Sequence, residues 1–184
     1  MNTSGEKLPE VLSSEDVYAG RTFSVSVDTV RETGARYKRE IVHHPGSGCV
    51  VALFDDDTVA LVRQYRHAAR KYLLEIPAGS RRNTEESPED CAHRELEEEL
   101  GVTAGSLELL AEFYPSPGFC AEKMWVYLAS ELTQTQQNLD EDEFIDIVRI
   151  PFQEARVMIA RGEIEDAKTI IGITLASSRS NRRT

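Results

Sequence analysis

The chain has no run of roughly 20 apolar residues of the kind a membrane-spanning helix needs. Its opening Met1-Asn-Thr-Ser-Gly also lacks the apolar core of a secretory signal. The reading is a protein without a membrane partner, working in the cytoplasm. Cysteine is scarce too: Cys49, Cys91 and Cys120 are odd in number and show no paired spacing. That argues against a disulfide framework or a thiolate zinc site and for small residues in a reduced interior. Positive charge is the third shortage. Lysine and arginine number 21 against 32 acids, a net charge of −11, which disfavours nucleic acid as a partner. No internal repeat or long low-complexity linker breaks the sequence, and 184 residues suit one domain with an N-terminal extension.

What the chain does have is acid, and it is focused. Residues 85–99 carry eight acids and one arginine, a charge of −7, and residues 140–148 carry five acids and no base, a charge of −5. The remaining residues together come to only +1. A solvated helix face accounts for an isolated acidic run, whereas concentration into two stretches points to a cation site. In the first stretch Ser87 can cap a helix and Pro88 suits its first turn. Glu89 and Asp90 meet the positive dipole end, and Gly101 can take the left-handed conformation that closes it. The spacing predicts a helix over 88–100. At about 100° per residue Glu95, Glu98 and Glu99 share one arc beside an apolar stripe of Ala92, Leu96 and Leu100. Glu97 lies on the opposite side. Like charges three and four residues apart repel, so the cluster calls for cations. Hard divalent ions with oxygen ligands fit best, Mg²⁺ above all, with Mn²⁺ as a substitute.

Residues 1–16 are polar and read as a flexible N-terminus. Alternation over 22–30, a turn at Glu32-Thr33-Gly34 and a returning run over 37–42 predict a hairpin, taken as an N-terminal β extension over 17–46. Residues 47–176 read as the main domain. Its strands fall near 49–54, 59–62, 72–76, 107–114, 124–129 and 145–150. A helix runs from Pro151 through Ala160 to Gly162, and a last helix covers 166–176. This order predicts the α/β class, a sandwich around a mixed sheet. Residues 177–184 form a basic tail, expected to be disordered.

The string from Gly79 through Glu85 and Glu86 to Arg94-Glu95-Leu96-Glu97-Glu98-Glu99-Leu100-Gly101-Val102 closely resembles the Nudix box. That box is a glycine, a spaced glutamate, then Arg-Glu-hydrophobic-x-Glu-Glu-x-Gly-hydrophobic, and the second half fits at every position. Six residues rather than five separate Gly79 from Glu86, so the first half holds an extra residue and either Glu85 or Glu86 can take the glutamate position. Over most of residues 17–175 the chain also resembles the ADP-ribose pyrophosphatase branch. The matching stretches are Arg39-Glu-Ile-Val42 with His44-Pro45-Gly46, Arg63-Gln-Tyr-Arg66, Glu75-Ile-Pro-Ala-Gly79, Tyr114-Pro-Ser-Pro-Gly-Phe119, Asp140-Glu-Asp-Glu-Phe144 and Asp166-Ala-Lys168.

The resemblance implies a Nudix fold, an α/β/α sandwich, and Mg²⁺-dependent hydrolysis of a nucleoside diphosphate linked to another moiety. It implies that the Ala78 carbonyl, Glu95 and Glu99 are metal ligands, with Glu98 and the Glu85/Glu86 pair in support and Arg94 orienting the carboxylates. By the same resemblance the loop at 140–143 supplies Glu141 as general base and Glu143 as a further ligand, with Glu122 in reserve. The resemblance also implies that Arg66 binds phosphate and that Ser116, Pro117 and Gly118 touch the substrate. Pro117 lies 16 positions beyond Gly101, a placement that accompanies ADP-ribose preference in this family. Arg39 reaches the substrate from a partner subunit, because members of the branch exchange their N-terminal sheets across a homodimer. Phe23 either stacks on adenine or fills the core.

Carboxylates holding divalent ions suit the attack of water on a phosphoanhydride. The leading expectation is cleavage of ADP-ribose to AMP and ribose 5-phosphate. A broader nucleoside-diphosphate-sugar pyrophosphatase, acting on GDP-mannose or ADP-glucose, shares the same phosphate and metal contacts. A non-catalytic nucleotide-binding regulator would be expected to lack part of the glutamate set, and this chain keeps it.

Overall fold

The computed structural model describes residues 8–139, 141 and 143–180. The chain forms two compact units: one runs to His44 and takes in Ser116–Glu122, and the other holds Pro45–Pro115 and the chain from Lys123 onward.

The first unit is a three-stranded antiparallel sheet of β1 (Glu10–Ala19), β2 (Ser24–Glu32) and β3 (Ala35–His43), in that order. Strands β2 and β3 are the expected hairpin, paired without a slip from Ser24 opposite His43 to Glu32 opposite Ala35. Strand β1 corrects the reading of a flexible terminus over 1–16. Residues 10–16 belong to a strand that follows β2 through two irregularities of register. Its side chains are exposed almost throughout, so no apolar alternation marks it, and backbone pairing alone fixes its course. Residues 1–7 lie outside the described residues. Ser116–Glu122, assigned by sequence to the main domain, joins this sheet instead. Val42 N–H donates to the Phe119 carbonyl at 2.8 Å, and Ala121 N–H donates to the Val42 carbonyl at 2.9 Å.

The second unit carries β4 (Ser47–Leu53), β5 (Thr58–Arg66), β6 (Lys71–Glu75), β7 (Ala78–Ser80), α1 (Pro88–Leu100), β8 (Val102–Phe113), β9 (Met124–Gln134), β10 (Ile145–Pro151), α2 (Phe152–Arg161) and α3 (Ala167–Ser180). Seven strands make one sheet in the order β10-β5-β4-β9-β8, with β6 added on β5 and β7 on β4. Strands β4 and β9 are parallel and the other pairs antiparallel, so the sheet is mixed.

Strand β4 explains the layering. From Cys49 to Leu53 its residues are apolar without alternation because both faces are covered. Cys49 and Val51 pack with Leu61, Ile76, Val126, Ala155 of α2 and Ile173 and Ala176 of α3. Val50 and Ala52 pack on the other face with Ala60, Val62 and Ala92, Leu96 and Leu100 of α1. The result is the expected α/β/α sandwich.

Helix α1 has the ends its sequence specified. The Ser87 hydroxyl accepts from Asp90 N–H at 3.0 Å. Gly101 closes the helix at φ 63°, donating to the Glu97 carbonyl at 2.9 Å, in the left-handed conformation that favours glycine. Helix α3 runs through Ser180, so residues 177–180 of the expected disordered tail are helical, and 181–184 lie outside the described residues. Among the described residues no helix is long and apolar enough to cross a membrane.

Candidate functional site

Helix α1 buries one edge of its acidic arc. Glu95 is 6% exposed and Glu99 4%, beside fully buried Ala92 and Leu96, while Glu97 faces solvent. Burial pushes Glu95 up to about 7, the charges of Glu98 and Glu143 adding to it and Arg94 holding it back. Burial and then the charges of Glu95 and Glu143 push Glu99 up to about 8, against the Ala78 N–H and Arg66. Strand β7 lies alongside, paired with β4 from Ser47 opposite Ser80 to Cys49 opposite Ala78. Ala78 N–H donates to Glu99 Oε2 at 3.3 Å. A Cβ on Gly79 would sit 1.9 Å from Glu95 Oε1, so only glycine lets the carboxylate come this close to the strand.

Arg94 is the hub of the acidic arc. Its guanidinium reaches Glu86 at 2.9 Å, Glu98 at 2.8 Å and the Ser80 carbonyl at 3.0 Å, and it also bonds Glu95. The link to Glu98 one turn on is therefore one of several. Burial opposes the guanidinium's charge, but the bonds to Glu86 and Glu98 and the charge of Glu95 outweigh it and raise the pKa further. Of the two glutamates that the spacing leaves open, Glu86 is the one these bonds engage. Glu86 holds Arg94 and accepts Arg82 N–H at 2.6 Å, while Glu85 faces solvent. Asn83 Oδ1 gathers both Glu85 N–H (2.8 Å) and Glu86 N–H (3.0 Å). Arg81 spans the loop, donating to the carbonyls of Glu86 (2.6 Å), Thr84 (2.7 Å) and Pro45 (3.2 Å). These contacts absorb the extra residue.

Glu143 is half-buried and close enough for its charge to act on both Glu95 and Glu99. Glu141 is exposed on a turn two residues before it; Asp140 and Asp142 lie outside the described residues. Among the described residues no three acidic, histidine or cysteine side chains are already drawn together tightly enough to hold an ion. The donor set nevertheless suits a hard divalent cation. It is all oxygen, and its carboxylates are buried and mutually repelling, so a cation in their midst relieves the charge.

A second charged network went unread in the sequence. Glu75, 1% exposed, accepts two 2.7 Å bonds from Arg66, through Nε and Nη2. Glu75 also pairs with buried Lys168, which bonds Asp166 at 3.1 Å. Thr169 Oγ1 donates to Asp166 at 2.6 Å and accepts Ile76 N–H at 2.8 Å, joining α3 to the chain that leads into β7. A signal was present in each element: Glu75 ends the run Tyr72-Leu73-Leu74, and Lys168 is the one charge between Asp166 and Arg179. Charges so placed are buried only when paired.

In the first unit Arg39, Pro117 and Gly118 come together with Glu40, Ile41 and Phe119–Ala121 around a groove of about 270 Å³. The Ser116 carbonyl shapes its loop, accepting Phe119 N–H at 3.3 Å and Cys120 N–H at 3.0 Å. The Arg39 guanidinium lies 4.1 Å from the Tyr37 ring centroid. Glu122 faces His44 at 3.6 Å in this same unit. Phe23 is 42% exposed, its ring 5.6 Å from that of Tyr18, so it is not a core residue.

The NUDIX domain family matches residues 42–171. The chain is 38% identical over 167 residues to the ADP-ribose pyrophosphatase of Bacillus subtilis (strain 168), covering 89% of this chain and 90% of that one. It matches the methanol dehydrogenase activator of Bacillus methanolicus with the same identity and coverage. It is 33% identical over 184 residues to the GDP-mannose pyrophosphatase of Enterobacter sp. (strain 638), covering 93% and 94%. Among solved structures, one described as an ADP compounds hydrolase superposes with a TM-score of 0.84 over 96% of both chains at 24% identity, a likeness of fold.

Proposed function

The chain belongs to the NUDIX domain family, and from that membership we propose that it is a Mg²⁺-dependent hydrolase that cleaves ADP-ribose to AMP and ribose 5-phosphate. What carries the reading is the buried pair Glu95 and Glu99 with Glu143 acting on both, in a chain 38% identical to an ADP-ribose pyrophosphatase. Glu95, Glu99, Glu143 and the Ala78 carbonyl would hold the cation, which would neutralise phosphate oxygens and make the attacking water more acidic. Arg94 keeps Glu95 and Glu98 oriented. Glu141 takes a proton from the attacking water. The water oxygen bonds to phosphorus, the bridging P–O bond breaks, and the two phosphates leave on separate products. Arg66 binds the diphosphate. Ser116, Pro117 and Gly118 contact the substrate, and Arg39 reaches it from a partner subunit of a homodimer.

A second reading is a broader nucleoside-diphosphate-sugar pyrophosphatase, favoured by the GDP-mannose pyrophosphatase relative that spans 93% of the chain. Purified protein incubated with Mg²⁺ and a panel of ADP-ribose, ADP-glucose, GDP-mannose, dinucleotides and nucleoside triphosphates separates the two. ADP-ribose is expected to give the highest kcat/KM. Faster turnover of GDP-mannose would favour the second reading, and no hydrolysis across the panel would overturn both.

A further inference from the structure

We propose that Glu75 is a positioning residue, which holds the Arg66 guanidinium toward the phosphates of the substrate while Lys168 serves as its fixed counter-charge. The inference rests on the reading that Arg66 binds phosphate.

A buried carboxylate needs one well-placed cation, and Lys168, 7% exposed and anchored by Asp166, already provides it. Arg66 is a second cation on the same carboxylate and differs in kind, with 40% of its side chain open to solvent. It meets Glu75 edge-on through Nε and Nη2, and among the described residues its Nη1 makes no hydrogen bond. The two-point grip fixes the plane of the guanidinium, because a fork on a carboxylate allows one orientation where a single bond allows many. Arg66 and Glu99 also act on each other's charge, so the guanidinium lies within electrostatic range of the acidic arc of α1. A diphosphate bound near that arc would meet an already oriented Arg66.

The anchor is itself rigid. Asp166 accepts Thr169 N–H at 3.0 Å in the first turn of α3, and Thr169 Oγ1 ties that turn to Ile76 N–H. Glu75 is thus fixed both through its carboxylate and through the backbone of the next residue. A group held this firmly can orient a partner at little entropic cost when substrate arrives.

Binding of ADP by calorimetry, together with KM and kcat for ADP-ribose hydrolysis, tests the proposal in wild type, Glu75→Gln, Arg66→Ala and the double variant. Glu75→Gln is expected to weaken ADP binding and raise KM roughly ten-fold with a smaller change in kcat. That effect should vanish in the Arg66→Ala background, the double variant matching Arg66→Ala alone. Additive losses in the double variant, or unchanged ADP binding in Glu75→Gln, would overturn the inference while leaving the reading of Arg66 intact. ADP binding unchanged in Arg66→Ala would instead sink the reading of Arg66 and the inference with it. Should Glu75→Gln fold poorly, Glu75→Asp retains the charge beside Lys168 but shortens the reach to Arg66. It is expected to raise KM with near-wild-type thermal stability, and an unchanged KM would count against the proposal.

Discussion

Glu95 and Glu99 hold protons into the neutral range because they are buried beside each other and near Glu143. Carboxyls with raised folded-state pKa bind protons more tightly in the folded chain than in the unfolded one. Their contribution to stability is therefore full below the unfolded value of 4.5 and is lost as pH rises through about 7 and 8. Glu75 and Glu86 have lowered pKa values. Burial opposes this in both, and the bonds from Arg66 and Arg94 outweigh it. Their contribution is lost at the acid end, as pH falls below 4.5, outside this window. Thermal melts of chelator-treated protein should accordingly fall in midpoint between about pH 6 and about pH 8. Added Mg²⁺ should reverse the fall, and Glu99→Gln should flatten it and abolish turnover, whereas exposed Glu97→Gln should do neither. A flat midpoint in the wild type would remove the coupled pair from the account.

At this scale the sequence was legible where one helix orders its own residues, as along the arc of Glu95, Glu98 and Glu99. It was not legible between Glu85 and Glu86. Which of the two carboxylates meets Arg94 and the Arg82 N–H depends on the course of the loop, which spacing does not encode. The pair of Glu75 with Lys168, 93 positions apart, was closed to a local reading for the same reason.

Among the elements, α1 was the most transparent, because its cap, dipole charges and closing glycine all mark the same boundaries. Strand β7, three residues long, has no periodicity to detect, and β1, exposed almost throughout, has no apolar alternation. The loop from Arg81 to Glu86 depends on the guanidinium that crosses it. Arg81→Ala should speed hydrogen exchange at the amides of 82–86 and lower kcat roughly ten-fold by loosening Glu86 on Arg94, with α1 retained by circular dichroism. Unchanged exchange in the loop would show that Asn83 suffices to hold the extra residue.

For the molecule as a whole, the α/β/α sandwich was readable from the order of apolar runs, since a strand continuous in apolar residues demands cover on both faces. The sheet of the first unit leaves Val11, Val17 and Tyr18 more than half exposed, which supports the proposed homodimer. Light scattering should give twice the monomer mass. A monomer would leave Arg39 without a cross-subunit role.

The unit that gathers Arg39, Pro117 and Gly118 is discontinuous along the chain, because Ser116–Glu122 is separated from the β1–β3 sheet by most of the sandwich. A single recombination point cannot exchange it. A chimera that inherited the N-terminal sheet of one relative and the rest of another would join halves of two different grooves. Carrying such a groove from one relative to another therefore needs matched substitutions in both segments, and residues 39–42 and 117–121 are expected to covary among relatives.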